Sequence, residues 1–203
     1  MSAPLGYVFW HWPRPGITQR RYERKLVAFQ DSLKANGPEG LVDVLSFRVQ
    51  GLPWANARSR SWEDWYVVRD FAAMGALNDA AVSDANREAH DEVASQASGG
   101  AGALYKMRHG NLVLADARFE TWIRKPAKTT YQAFLERLSR AVADRRTDLL
   151  QRQMVLGPAH EFCIHSETPF DIPPGLRPTT VRVQLVGAGK NKAAMNPRRL
   201  ETS

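Results

Sequence analysis

Cysteine is almost missing from this chain: Cys163 stands alone in 203 residues. That excludes an intramolecular disulfide and a cysteine-rich zinc cluster. Long hydrophobic runs are missing too, since nothing approaches the roughly 20 apolar residues that span a bilayer as a helix. The opening MSAPLGYVFW lacks the basic-then-apolar order of a secretory signal. The expectation is a cytoplasmic protein with no membrane partner. The phosphate-cradling patterns GxGxxG and GxxxxGK[ST] do not occur, and GGAGA at 99–103 has no helical pattern behind it, so nucleotide chemistry is disfavoured. HxH and HExxH are also absent, and we therefore expect no metal and no cofactor.

What is present is a basic balance, 28 Lys and Arg against 21 Asp and Glu, giving a net charge of +7. Residues 187–203 carry Lys190, Lys192, Arg198 and Arg199 against Glu201, and lack both periodicity and aromatics. They read as a disordered basic tail. The remaining excess fits a solvated surface, and the aromatic signature of an RNA-recognition sheet is absent, so nucleic acid is disfavoured as a partner.

The most unusual stretch is YVFWHWPRPG at 7–16, with five rings in its first six residues before two prolines. It reads as a strand over 7–12. Thr18 then supplies an N-cap, Ile17 a staple against Tyr22, and Tyr22, Leu26, Phe29 and Leu33 the buried stripe of a helix ended by Asn36-Gly37-Pro38. The basic residues on its other face read as solvated. Strands follow at 41–49 and within SWEDWYVVRD at 61–70. Asp70 caps a helix with stripe Phe71, Met74, Leu77 and Ala81. A weaker helical pattern over 84–96 stops at Ser98-Gly99-Gly100, and a fourth strand is expected at 103–109. The order is β-α-β-β-α-β with one additional helical segment, the ferredoxin-like plan.

The pattern then restarts. RFETWIR at 118–124 reads as a strand ended by proline. Thr129 with Gln132 forms a capping box for a long helix carrying Tyr131, Phe134, Leu135, Leu138, Val142, Leu149 and Leu150 as far as Gly157-Pro158. AHEFCIH and TTVRVQLV supply two more strands. Between them SETPFDIPPGLRP holds four prolines and no helix stripe, so the second copy lacks a helix. The expected organisation is a first half at 1–113, a shortened second half at 114–186 and the tail at 187–203.

The opening strand YVFWHW, the junction WYVVRDFAAMGALNDAAV and the strand ALYKMRHG resemble the dimeric α/β-barrel superfamily, whose members include EthD-like proteins, stress-responsive barrel proteins and antibiotic-biosynthesis monooxygenases. The resemblance spans about residues 6 to 186 at the level of pattern. It implies an α+β fold: two ferredoxin-like half-barrels in tandem, with antiparallel sheets facing one another and the second half lacking a helix. Both halves lie on one chain, so a barrel closes without a partner; a homodimer is compatible with it.

Such a barrel can enclose a concave, largely apolar pocket between its sheets. Tyr7, Phe9 and His11 share one parity of the first strand, Val8, Trp10 and Trp12 the other; parity alone does not say which set faces the barrel. His11 at the strand end is the candidate acid or base. Asp64 and Tyr66 share a face and are the other catalytic candidates; that face either puts a carboxylate and a phenol in the barrel or leaves Asp64 at a strand edge in water. Trp10, Trp12, Trp65, His109, Trp122 and His165 are the candidate ligand contacts, whereas Cys163 between Phe162 and Ile164 reads as a small buried hydrophobe. The expected function is binding, or cofactor-independent transformation, of a small apolar or aromatic molecule. Competing readings are a structural or assembly protein without chemistry and, more distantly, an RNA-binding module. The sequence alone does not separate enzyme from binding protein.

Overall fold

In the computed structural model, which describes residues 3–55, 60–110, 114–143 and 145–186, eight strands close on themselves in the order β1-β3-β2-β8-β5-β7-β6-β4. The elements are β1 Leu5–Pro13, α1 Gln19–Asn36, β2 Leu41–Val49, β3 Ser61–Val68, α2 Phe71–Ala81, α3 Asp84–Ala94, β4 Ala97–His109, β5 Phe119–Ile123, α4 Tyr131–Val142, β6 Thr147–Arg152, β7 Phe162–Ser166 and β8 Thr179–Leu185. Every neighbouring pair is antiparallel. The first four strands lie in the order 4-1-3-2, and the last four repeat it as 8-5-7-6. Two ferredoxin-like sheets therefore join edge to edge, through β2 with β8 and β4 with β6, and the barrel closes.

The elements form for identifiable local reasons. Thr18 caps α1 by accepting from the Arg21 amide, and Tyr22, Leu26, Phe29 and Leu33 are buried as the stripe requires. Asp70 caps α2 by accepting from the Ala73 amide. Of the expected α2 stripe Leu77 is buried, but Phe71 is 55% exposed and Ala73 takes the inner position. No described residue between β7 and β8 is helical, so the second half carries α4 alone.

Three expectations are corrected. The long helix ends at Val142, and Thr147–Arg152 is strand β6. Leu149 packs against α4 while Leu150 packs inside the barrel. Two adjacent leucines buried on opposite faces suit a strand, but in sequence they also fit a helical stripe. The cap of α4 is Thr130, accepting from the Ala133 amide, while Gln132 turns to Glu136, so the capping box at Thr129 does not form. Finally, β4 begins at Ala97 and runs through Gly99 and Gly100, where a helix stop had been expected. These glycines are strand residues because aromatic rings of β1 lie across them. A Cβ on Gly99 would stand 2.7 Å from the Trp12 ring, and one on Gly100 would run into Phe9.

Side chains fill three layers. Inside the barrel Val8, Trp10, Phe47, Trp65, Tyr105, Trp122, Leu150 and Cys163 meet. Outside the first sheet Tyr22, Leu26, Phe29 and Leu33 of α1 pack with Trp62, Tyr66 and Val68, joined by Ala73 and Leu77 of α2 and Val93 of α3. Outside the second sheet α4 packs Phe134, Leu138 and Val142 on Ile123, Leu149, Phe162 and Ile164. Each fully buried side chain of this size contributes roughly 1.5–3 kcal/mol. The basic tail at 187–203 lies outside the described residues.

Candidate active site

The parity of β1 decides where chemistry can occur. Tyr7 and Phe9 pack with the helix-facing layer, and Val8 and Trp10 pack inside the barrel. His11 follows Tyr7 and Phe9, which brings its ring against Tyr22 of α1. On β3, paired antiparallel with β1, Asp64 and Tyr66 share this outer face while Glu63 and Trp65 point inward. Asp64 and Tyr66 therefore lie outside the barrel, on the side the sequence left undecided, and they meet His11 between sheet and helices.

There the three meet in one polar cluster, Tyr66 hydrogen-bonded to Asp64 and His11 in close polar contact with it. His11 Nε2 lies 3.2 Å from Asp64 Oδ2, and the same oxygen accepts from the Tyr66 hydroxyl at 3.2 Å. His11 Nδ1 lies 2.6 Å from the Tyr22 hydroxyl. Ser46, directly opposite Asp64 on β2, donates to Asp64 Oδ1, and Gln30 of α1 donates to Ser46. Phe9 stacks on the imidazole at 5.5 Å between centroids. With the Tyr22 hydroxyl as donor to Nδ1, the imidazole N–H is on Nε2, the nitrogen nearer Asp64, a tautomer assigned from these partners. Histidine and carboxylate are each about 3–4% exposed, so the pair is held almost without water.

This cluster forms part of the wall of a cavity of about 830 Å³ between the first sheet and α1, α2 and α3. Tyr7, Phe9, Leu26, Phe29, Leu77 and Val93 are among its apolar lining. Its rim includes the exposed Asn78, Asp79 and Leu156. That size and lining suit a small, largely apolar ligand with a few polar groups converging on one side. Gly102 of β4 lies under the Tyr7 ring: a Cβ there would stand 2.5 Å from the Tyr7 hydroxyl oxygen. Burial first, then the negative charge of Asp64, raises the pKa of Tyr7, Tyr22 and Tyr66 above the usual phenol value. All three are therefore hydrogen-bond donors at neutral pH.

The aromatic candidates are placed elsewhere. Trp10, Trp65 and Trp122 are fully buried in the barrel, which side chains fill. Trp12 lies half-buried against Gly99 at the end of β1, and His109 is half-buried at the end of β4; neither lines the cavity. His165 is inside the barrel, edge-on to Trp65 at 4.8 Å.

That interior holds a second polar centre. Trp10 and Trp65 donate their indole N–H groups to the two oxygens of Glu63, each at 2.9 Å, and Trp122 donates to Glu120 Oε2 at 3.1 Å. Burial, reinforced by the neighbouring Glu120, holds the Glu63 pKa well above the usual carboxyl range. Burial likewise raises that of Glu120 and lowers that of His165. Sequence reasoning missed both glutamates. A signal was there: Glu-x-Trp occurs at 63–65 and at 120–122, and in each the indole bonds the glutamate two residues before it. It also missed Tyr22, read only as a core residue, and Ser46.

No family model matches the chain, and no curated protein matches it. Solved structures do. A protein of Fusobacterium nucleatum, provisionally named a monooxygenase, superposes with a TM-score of 0.62 at 10% identity, covering 91% of this chain and 93% of its own. A protein of Lactobacillus acidophilus with the same provisional name gives 0.57 at 11% identity, covering 90% and 94%. An anthrone oxidase-like protein gives 0.50 at 11% identity over 97% and 99%. At such identities the likeness is one of fold.

Proposed function

We propose that the protein binds a small aromatic molecule in the cavity between sheet and helices and oxidises it with dioxygen by base catalysis, without a cofactor. The observation that carries this reading is the His11–Asp64–Tyr66–Tyr22 cluster set into the wall of a largely apolar cavity. A substrate of the required kind is a hydroxyaromatic ketone with an acidified CH₂ group. Its conversion, R₂CH₂ + O₂ → R₂C=O + H₂O, balances without a further reductant. Asp64, paired with His11, accepts the proton from carbon. Tyr7, held as a neutral phenol, donates to the enolate oxygen, while Tyr66 keeps its hydrogen bond to Asp64. The names carried by the structural neighbours, monooxygenase and anthrone oxidase-like, support this class of reaction.

The test is oxygen uptake with a panel of anthrone-type and simple phenolic substrates, with product identified by mass after reaction in labelled dioxygen. We expect turnover with a tricyclic substrate and a fall of about 10²–10⁴-fold in kcat for Asp64→Asn, the usual contribution of a positioned base. Saturable binding without oxygen uptake across the panel would reduce the protein to a binding protein and refute the chemistry.

A further inference from the structure

Apart from the cavity, the barrel interior contains an unassigned set of ligating groups. From the geometry we infer that Glu120, Cys163 and His165 form a metal site, taking one divalent cation of the zinc class.

A carboxylate oxygen, a sulfur and an imidazole nitrogen of these residues lie within 4.8 Å of one another, and all three residues are fully buried. The strands explain the convergence. Glu120 of β5 is the direct register partner of His165 of β7. Cys163, two residues before His165, projects from the same face of its strand. No contiguous motif records this, because the third ligand comes from another strand.

Two further observations point to an ion. Glu120 Oε1 and His165 Nε2 are 3.2 Å apart, yet neither makes a hydrogen bond although both are buried. Two such atoms aimed at a common third point behave in this way; with bonds of about 2.0–2.1 Å to one tetrahedral metal they would lie about 3.3 Å apart. The other oxygen of Glu120 is taken by the Trp122 indole, which fixes the carboxylate and leaves Oε1 for the ion. Charge argues in the same direction. Glu120 and Glu63 stand side by side inside the barrel, and a cation there would offset their mutual repulsion. A divalent ion with one thiolate, one carboxylate and a neutral imidazole is neutral overall. Sulfur and nitrogen donors favour zinc over magnesium or calcium. The interior is filled by side chains, so the ion enters as the chain folds, displacing the thiol proton of Cys163.

The experiment is elemental analysis and cobalt substitution on the full chain. Protein purified from zinc-supplemented cells is expected to hold close to one zinc per chain. Refolding with Co(II) is expected to give tetrahedral visible bands together with a thiolate-to-cobalt band in the near ultraviolet. Cys163→Ser should abolish the ultraviolet band, and His165→Gln should drop metal content to near zero. Asp64→Asn, which alters the other face of the sheet, should leave metal content unchanged. If the barrel variants do not fold, the cobalt spectrum of the unaltered chain decides. Natively folded protein that takes up no metal on refolding overturns the inference. So does cobalt bound without a thiolate band, or metal content unaffected in a folded Cys163→Ser variant.

Discussion

Replacing Asp64 by asparagine tests the candidate site through stability, whether or not a substrate is in hand. The carboxylate serves three partners at once: Ser46 donates to Oδ1, Tyr66 donates to Oδ2, and His11 Nε2 stands 3.2 Å from Oδ2. Asparagine preserves volume but offers one acceptor oxygen and one NH₂ group. If its oxygen takes the Ser46 side, an amide donor faces the Tyr66 hydroxyl and His11; if the amide is flipped, it faces Ser46. Ser46 can turn its hydroxyl, although Gln30 already donates to it. The lower cost therefore lies in the flipped arrangement, which still loses the charge paired with His11. Hydrogen bonds to a charged group contribute about 1.5–3 kcal/mol each. Allowing for the acceptor that remains, we expect a loss of about 2–4 kcal/mol. For a chain of this length that is a fall of about 5–15 °C in Tm.

Urea unfolding followed by circular dichroism measures the loss, with an unchanged m-value showing that the native fold persists. A double-mutant cycle with His11→Gln isolates the pair, for which we expect a coupling of about 1–3 kcal/mol. Asp64→Asn within about 0.5 kcal/mol of the parent, or additive single variants, would show that the carboxylate is not held by His11 and Tyr66. The base proposed for the cavity would fall with it.

Two other outcomes follow from the same wall. Gly102→Val places atoms where the Tyr7 ring lies, 2.5 Å from its hydroxyl oxygen and 2.9 Å from two ring carbons. We expect the ring to be driven into the cavity, weakening binding of an aromatic ligand about tenfold at a stability cost of about 1–3 kcal/mol, read by fluorescence titration and urea unfolding. The second outcome concerns alkaline pH. The folded pKa values of Tyr7, Tyr22 and Tyr66 are raised, so the native state holds these protons more tightly than the unfolded chain. Their contribution is complete below the unfolded value near ~10 and is lost as pH rises above it. Tyr66→Phe should flatten that decline by up to about 1.4 kcal/mol per pH unit, measured as urea midpoints across the alkaline range; an unchanged slope would mean that Tyr66 ionises freely in the fold.

Local signals carried much of the fold. Thr18 and Asp70 cap α1 and α2 as their chemistry requires, and the 22-26-29-33 stripe of α1 is buried throughout. The losses occurred where a short-range pattern is degenerate. Leu149-Leu150 satisfies a helix stripe or a strand buried on both faces, and only the packing of one leucine on α4 and the other in the barrel decides. Gly99-Gly100 reads as a stop unless Phe9 and Trp12 are known to lie across it. The candidate site suffered from a similar ambiguity. His11, Asp64 and Tyr66 were legible as residues, but their side of the sheet was not, because both parities of β1 and β3 carry rings. Tyr22 looked like any stripe residue, and its role depends on the imidazole that the first strand brings over it.

The stretch WEDWY concentrates that problem and also resolves it. Trp62, Asp64 and Tyr66 enter the helix-facing layer, whereas Glu63 and Trp65 enter the barrel, so one strand supplies both polar centres. A slip of one residue would exchange them, setting Glu63 among the helices and Asp64 among the indoles. What opposes the slip is the pairing itself. Phe9 lies opposite Asp64 and Trp10 opposite Glu63, so the indole that reaches Glu63 Oε2 and the ring that stacks on His11 both come from β1 in this register alone. On β2, Ser46 opposite Asp64 and Phe47 opposite Glu63 repeat the division of polar outside from apolar inside. The hydrogen bonds of the two centres therefore specify the register of the sheet. A variant that neutralises one centre loosens that specification even where the other centre keeps all of its partners.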